Sequence, residues 1–347
     1  MAISDAALMM AWKEVLAMCN LKAGEQLTIL TSDDSNQQIA GMARLAAADM
    51  GAVVTNLNLA PMNGEKAISR DKSGYIGKTA LEHNKAALAC LKASDFVIDT
   101  LQLLFSKEQE EILKTGARML LAVEPPEIML RMLPKPEDKA RVLAGAKKLG
   151  VAKKMTVTSK AGTDFECDLG QYPVLTQYGL ADEPGRWDHW PSCFVATWPT
   201  EKTANGTIVI EEGDILLPMK MYARSPVTFT VENGYVTKID GGFDAEFLRR
   251  FMDSFDDPEA YAMAHVGWGL HTRAHWTVLG LTNPEAQLGM DARSFAGNFL
   301  FSTGPNTEAG GTRDVPCHLD IPLRNCSLSL DGEAMTKDGK VVPADQR

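Results

Sequence analysis

His318 and Asp320 stand one residue apart in Cys317-His-Leu-Asp-Ile-Pro-Leu323, a run whose composition predicts a strand. Side chains in a strand alternate between its faces, so these two point the same way and can reach one ion. One more histidine folded onto that face would complete two imidazoles and a carboxylate. On a ferrous ion, Fe(II), that facial set leaves positions open for oxygen and a substrate. The same spacing also fits a strand end with a packed histidine and a surface aspartate, and spacing alone leaves both readings open.

The other histidines differ in promise. His265 lies in Ala264-His-Val-Gly-Trp-Gly-Leu270, among glycines where backbone can approach a ligand closely. His189 lies in Gly185-Arg-Trp-Asp-His-Trp-Pro191, a run dense in aromatic and ionisable side chains that suits a binding site or a buried domain contact. His271 and His275 have i, i+4 spacing and could share a metal if helical, but the run lacks the glutamate of a zincin motif. His83 belongs on a solvated helix face. Arg293, in Asp291-Ala-Arg-Ser-Phe-Ala-Gly-Asn-Phe299, suits an anionic or enolate oxygen through a charge-assisted hydrogen bond. An internal ion pair with Asp291 or Glu308 would account for it equally.

The elements that must carry these residues fall into two textures. Over residues 1–150 helix and strand patterns alternate: a helix capped by Ser4, a strand from Gln26, an Ala-rich helix from about Asn36 to Gly51, and a strand over 52–59. A helix from Thr79, a strand at Phe96, a capping box at Ser106-Lys-Glu-Gln109 and a strand at Met119 follow. Such alternation predicts an α/β domain with a doubly wound, mostly parallel sheet. The charged stretch from Glu137 to Lys154 reads as a solvated helix leading onward. Residues 151–347 carry short strands and dense turns, with hairpin signals at Asn233-Gly234 and Asp338-Gly339. They predict a C-terminal α+β domain rich in antiparallel strands and holding the metal.

Composition narrows the partners. A net charge of -10 and a pI near 5.2 argue against nucleic acid as a partner, which needs a basic surface. No run approaches the roughly 18 apolar residues of a membrane span. The acidic start, with Lys13-Glu14 soon after, is unlike a signal peptide. Six scattered cysteines without a Cys-x-x-Cys pair suit reduced thiols, so a cytoplasmic protein is expected. No phosphate-cradling glycine loop or nucleophile elbow is present.

Five segments carry a resemblance. Leu121-Ala-Val-Glu-Pro-Pro-Glu127, Leu169-Gly-Gln-Tyr-Pro173, Ala181 to Pro191, Phe299 to Glu308 and Pro316 to Cys326 resemble the 2,5-dihydroxypyridine 5,6-dioxygenase family, over nearly the whole chain. That resemblance implies the fold of two-metal thermophilic aminopeptidases, with one Fe(II) retained and oxygen used to open a hydroxypyridine ring. For 2,5-dihydroxypyridine the product would be N-formylmaleamate, a step of nicotinate degradation. It implies His265, His318 and Asp320 as iron ligands, and His189 and Arg293 as residues that hold the substrate. A homo-oligomer is also expected.

Two positions depart from the family's pattern. Where the family has a histidine serving as acid/base, this chain has Phe105, and where it has a glutamate this chain has Gln177. Neither can exchange a proton as those groups would, so His189, water or a different ring substrate is expected to compensate. Two rivals remain: a metallo-aminopeptidase, which needs two metals and bridging carboxylates, and a ligand-binding homologue without catalysis.

Overall fold

The structure is a computed structural model that describes residues 3–60, 79–104 and 106–347. Its first sheet is parallel. The strands Gln26–Ser32, Val53–Leu59, Phe96–Asp99 and Arg118–Leu121 lie in the spatial order second, first, third, fourth. Phe96–Asp99 and Arg118–Leu121 are buried throughout, as expected of strands covered on both faces by helices. A fifth strand, Trp187–His189, joins the free edge of Arg118–Leu121 in parallel, so chain from beyond residue 150 completes this layer.

Side-chain caps fix the helices around it. Ser4 accepts the Ala7 N–H, Asn36 those of Gln38 and Ile39, and Ser106 that of Gln109. The predicted helix from Thr79 begins instead at Lys85, capped by Asn84. His83, one residue before the cap, has a φ of 66°, a left-handed conformation that a right-handed helix cannot contain. His83 is therefore exposed on a turn.

The helix Pro136–Leu149 is more than a solvated connector. Val142, Gly145 and Leu149 form a buried stripe beneath its charged face. Gly145 sits so close to the next layer that a Cβ there would stand 3.1 Å from Val195 Cγ1 and 3.3 Å from the Trp268 ring. The helix ends at Leu149, and Lys154 already opens a strand.

Two antiparallel sheets follow. The larger has eight strands and contains both expected hairpins, turning at Asn233-Gly234 (φ 50° and 84°) and Asp338-Gly339 (φ 46° and 75°). The smaller has the order Leu319–Leu323, Phe299–Thr303, Met263–Gly269, Phe194–Thr197, Leu175–Gln177. Its two faces have different duties. Val195, Val266, Trp268, Phe299, Phe301, Leu319, Ile321 and Leu323 enter the main core. The alternate residues Phe194, Ala196 and Leu300 face the other way, beneath Met290. All six cysteines are free, and Cys317 packs with Ala260 and Val315, away from its neighbour His318.

Candidate metal centre

The second face of the smaller sheet gathers His265, His318 and Asp320. Their ligand atoms all lie within 4.8 Å of one another, and all three residues are buried. Asp320 is directly opposite Ser302 in the pairing of the two outer strands. His318 immediately precedes the strand, which begins at Leu319 rather than Cys317, and still shares Asp320's face. His265 arrives through a bulge. From Met263 to Val266 its strand advances three residues while the partner moves two, from Thr303 to Phe301. A bulge re-aims a side chain at the expense of a ladder bond. Here the Ser302 hydroxyl replaces it, accepting the His265 N–H at 2.8 Å.

His265 Nε2 lies 3.0 Å from Asp320 Oδ1, and His318 Nε2 lies 3.3 Å from Oδ2. The His265 contact lacks the alignment of a hydrogen bond, and both Asp320 Oδ1 and His265 Nδ1 are buried without a hydrogen-bond partner. Ligands on adjacent positions of an octahedral ion, with bonds near 2.1 Å, are separated by about 3 Å. Two nitrogens and a carboxylate oxygen at these separations fit a divalent cation. Burial acts to raise the Asp320 carboxyl, but His318, Arg293 and His265 together outweigh it and hold the group well below the usual carboxylate range. His265 is shifted down, first by burial, which favours the neutral imidazole that can ligate.

Of the other residues singled out from sequence, Arg293 touches the triad and its charge acts on His189. Arg293, on the short helix Met290–Ser294, donates from Nε to Asp320 Oδ2 at 2.6 Å. The ion pair foreseen for Arg293 exists, but with Asp320; Asp291 is taken instead by Arg131. His189 ends the borrowed edge strand of the first sheet. Burial, and then Arg293, push its imidazole down to about 3, so it is neutral, and its buried Nε2 has no hydrogen-bond partner. Gln177 ends the last strand of the site sheet, opposite Phe194 and on the face that carries Ala196 and Leu300. Both atoms of its carboxamide are buried without partners. Asp188 ties these two ends together: Oδ2 accepts from Tyr178 N at 3.1 Å, and Oδ1 from His189 N at 2.7 Å.

Several sequence expectations are revised and some functional groups are new. Phe105 lies outside the described residues. His271 and His275 are not on a helix; the His271 ring nitrogen Nδ1 accepts the Arg273 N–H in a turn, and among the described residues the only such cluster that could hold a metal is the triad. Glu308, named from sequence only as an ion-pair partner, is exposed at the surface. Desolvation of its carboxyl, and then Asp320, act to raise it above the ordinary carboxylate value. Ser302 and Asp188 could not be recognised from local spacing, because the groups they bind come from other strands.

Among the described residues no helix is long and apolar enough to cross a membrane. Comparison with known proteins identifies the family. The family model NicX, 2,5-dihydroxypyridine 5,6-dioxygenase, matches residues 7–343. A 2,5-dihydroxypyridine 5,6-dioxygenase of Pseudomonas putida KT2440 is 50% identical over 346 residues, covering 100% of this chain and 99% of that protein. The solved structure of 2,5-dihydroxypyridine dioxygenase from the same organism superposes with a TM-score of 0.97 at 50% identity, over 100% of both chains. AmpT from Thermus thermophilus, at 14% identity, has a TM-score of 0.61 over 97% of this chain and 99% of its own, a likeness of fold alone. The match of one family along almost the entire sequence, together with a full-length relative sharing half its residues, makes this chain a member of the 2,5-dihydroxypyridine 5,6-dioxygenase family.

Proposed function

We propose that this protein opens 2,5-dihydroxypyridine between ring carbons 5 and 6, holding one Fe(II) with His265, His318 and Asp320. The observation that carries the reading is the convergence of those three ligand atoms on one buried sheet face, in a member of this family. Both atoms of O2 enter the product. The bond between carbons 5 and 6 and the O–O bond break. Carbon 5, already bearing a hydroxyl, becomes a carboxylic acid and carbon 6 a formyl group on nitrogen. Carbon 2 becomes the amide carbonyl, giving N-formylmaleamate. Fe(II), when bound, supplies the redox chemistry that lets O2 react with a closed-shell ring.

The chain's own residues orient the ring and take its proton. Arg293 fixes Asp320 through Oδ2, and its charge favours an ionised substrate oxygen beside it. Gln177 offers a donor and an acceptor side by side. That pair is complementary to the adjacent N–H and C=O that the ring presents in its pyridone form. His189 is held neutral with its buried Nε2 free to meet a ligand, but it is too weak a base to take a hydroxyl proton near neutral pH. Glu308 is the better proton acceptor. Its carboxyl is shifted up by desolvation and then by Asp320, and a bound cation nearby would draw it down again.

The test is oxygen uptake by anaerobically iron-loaded protein on adding 2,5-dihydroxypyridine, followed together with loss of the ring's ultraviolet absorbance. One O2 per ring opened is expected, and Asp320→Ala should lose iron and turnover together. Full turnover by metal-free Asp320→Ala protein would end the proposal.

A further inference from the structure

Glu124 lies on the chain just after the parallel strand Arg118–Leu121 and is completely buried. No cation pairs with it among the described residues; instead its carboxylate accepts three successive backbone N–H groups, from Leu288 at 3.1 Å, Gly289 at 2.8 Å and Met290 at 2.7 Å. Those amides open the short helix that carries Arg293. Gly289 is left-handed there, with φ 95°, and a Cβ would stand 2.3 Å from Leu217 Cδ1, so the turn is built for glycine. The contacts continue without a gap. The Leu288 carbonyl accepts Arg293 Nη1 at 2.9 Å, and Arg293 Nε donates to Asp320 Oδ2 at 2.6 Å.

A second tie runs beside the first. Arg131, on the helix Pro126–Arg131 that follows Glu124, holds Asp291 with both guanidinium nitrogens and also donates to the Arg273 carbonyl at 2.6 Å. The helix Met290–Ser294 has barely more than one turn and could not fix its own orientation. It is held from the first sheet by a carboxylate and a guanidinium.

We propose that Glu124 is a positioning residue for the ring-opening site, setting Arg293 through the Leu288–Met290 backbone and, through Arg293, the direction of the Asp320 carboxylate. The role rests on the reading of Asp320 as a metal ligand. Glu124→Gln keeps the shape but turns an NH2 group toward N–H donors, so the turn loosens without an emptied cavity. A misplacement of the order of 1 Å at a reacting centre costs up to about a hundredfold, and the expected loss in kcat/KM is between about ten- and a hundredfold. Affinity for Co(II), titrated by its visible absorption, should weaken in parallel while the far-ultraviolet circular dichroism is unchanged.

The deciding experiment is a double-mutant cycle of Glu124→Gln with Arg293→Ala, reading Co(II) affinity and kcat/KM for 2,5-dihydroxypyridine. If Glu124 acts through Arg293, adding Glu124→Gln to Arg293→Ala changes neither quantity further. Additive losses, or a Glu124→Gln protein that loses only thermal stability, would overturn the inference. Should Glu124→Gln fail to fold, Glu124→Asp, which keeps the charge but withdraws it by one methylene, is read in the same cycle. Asp320→Ala is the separate control: Co(II) binding unchanged in that variant defeats the metal-site reading itself, whatever the cycle shows.

Discussion

A carboxamide buried with neither atom satisfied by protein, as at Gln177, costs about 1–3 kcal/mol per group unless a ligand meets it. A glutamate in its place could only accept hydrogen bonds, whereas the amide also donates. Replacing Gln177 by Met, of similar length and no polarity, should raise KM for 2,5-dihydroxypyridine about tenfold, the equivalent of one hydrogen bond of about 1.4 kcal/mol, with metal affinity unchanged. An unaltered KM would show that the amide does not touch the ring. Glu308 invites a different measurement. A base must be ionised to act, so kcat/KM should rise with pH through the Glu308 pKa, above the ordinary carboxylate value. In Glu308→Gln that rising limb should vanish; its persistence would assign the proton to another group.

At the scale of elements, what could be read from sequence was whatever depends on local period. The alternation that puts His318 and Asp320 on one face and Cys317 on the other follows from strand geometry and holds in the fold. The caps at Ser4, Asn36 and Ser106 are equally local. His265 is different: its aim depends on a bulge stabilised by Ser302, 37 residues away in sequence. Its glycine-rich setting marked it as a place where a ligand could approach, but only resemblance to relatives named it as a metal ligand. The pair His271 and His275 failed as a helical motif because the Arg273 N–H turns back onto the His271 ring, a local hydrogen bond competing with the helix. Likewise the charged surface of Pro136–Leu149 hid a narrow stripe that backs the site sheet. The partner of Arg293 was missed for the same reason: sequence offered Asp291 or Glu308, and tertiary packing supplied a third acid, Asp320.

Over the whole molecule, the neutral buried histidines tie stability to pH. Burial, and then nearby arginines, hold His189 and His271 down to about 3, against an unfolded value near 6.5. Below 6.5 the unfolded chain therefore binds more protons at these sites than the folded one. Their contribution is fully present above 6.5 and is lost as pH falls toward 3, by as much as about 1.4 kcal/mol per pH unit for each. His271→Asn should make urea unfolding less sensitive to acid, with the difference from the parent chain growing between pH 6 and 4. Equal slopes for both proteins would contradict the assignment.

The edge strand Trp187–His189 has a mechanical consequence. It is hydrogen-bonded to Arg118–Leu121 on one side, while the chain on either flank of it runs directly into the site sheet. The first sheet and the site sheet are thus sewn together by a seam that passes beside His189. Opening the molecule like a hinged shell would unpick that seam and drag His189 away with it. Traffic of the flat ring in, and of a longer, charged, open-chain product out, must then rely on side chains and loops at the rim, with the two sheets moving as one block.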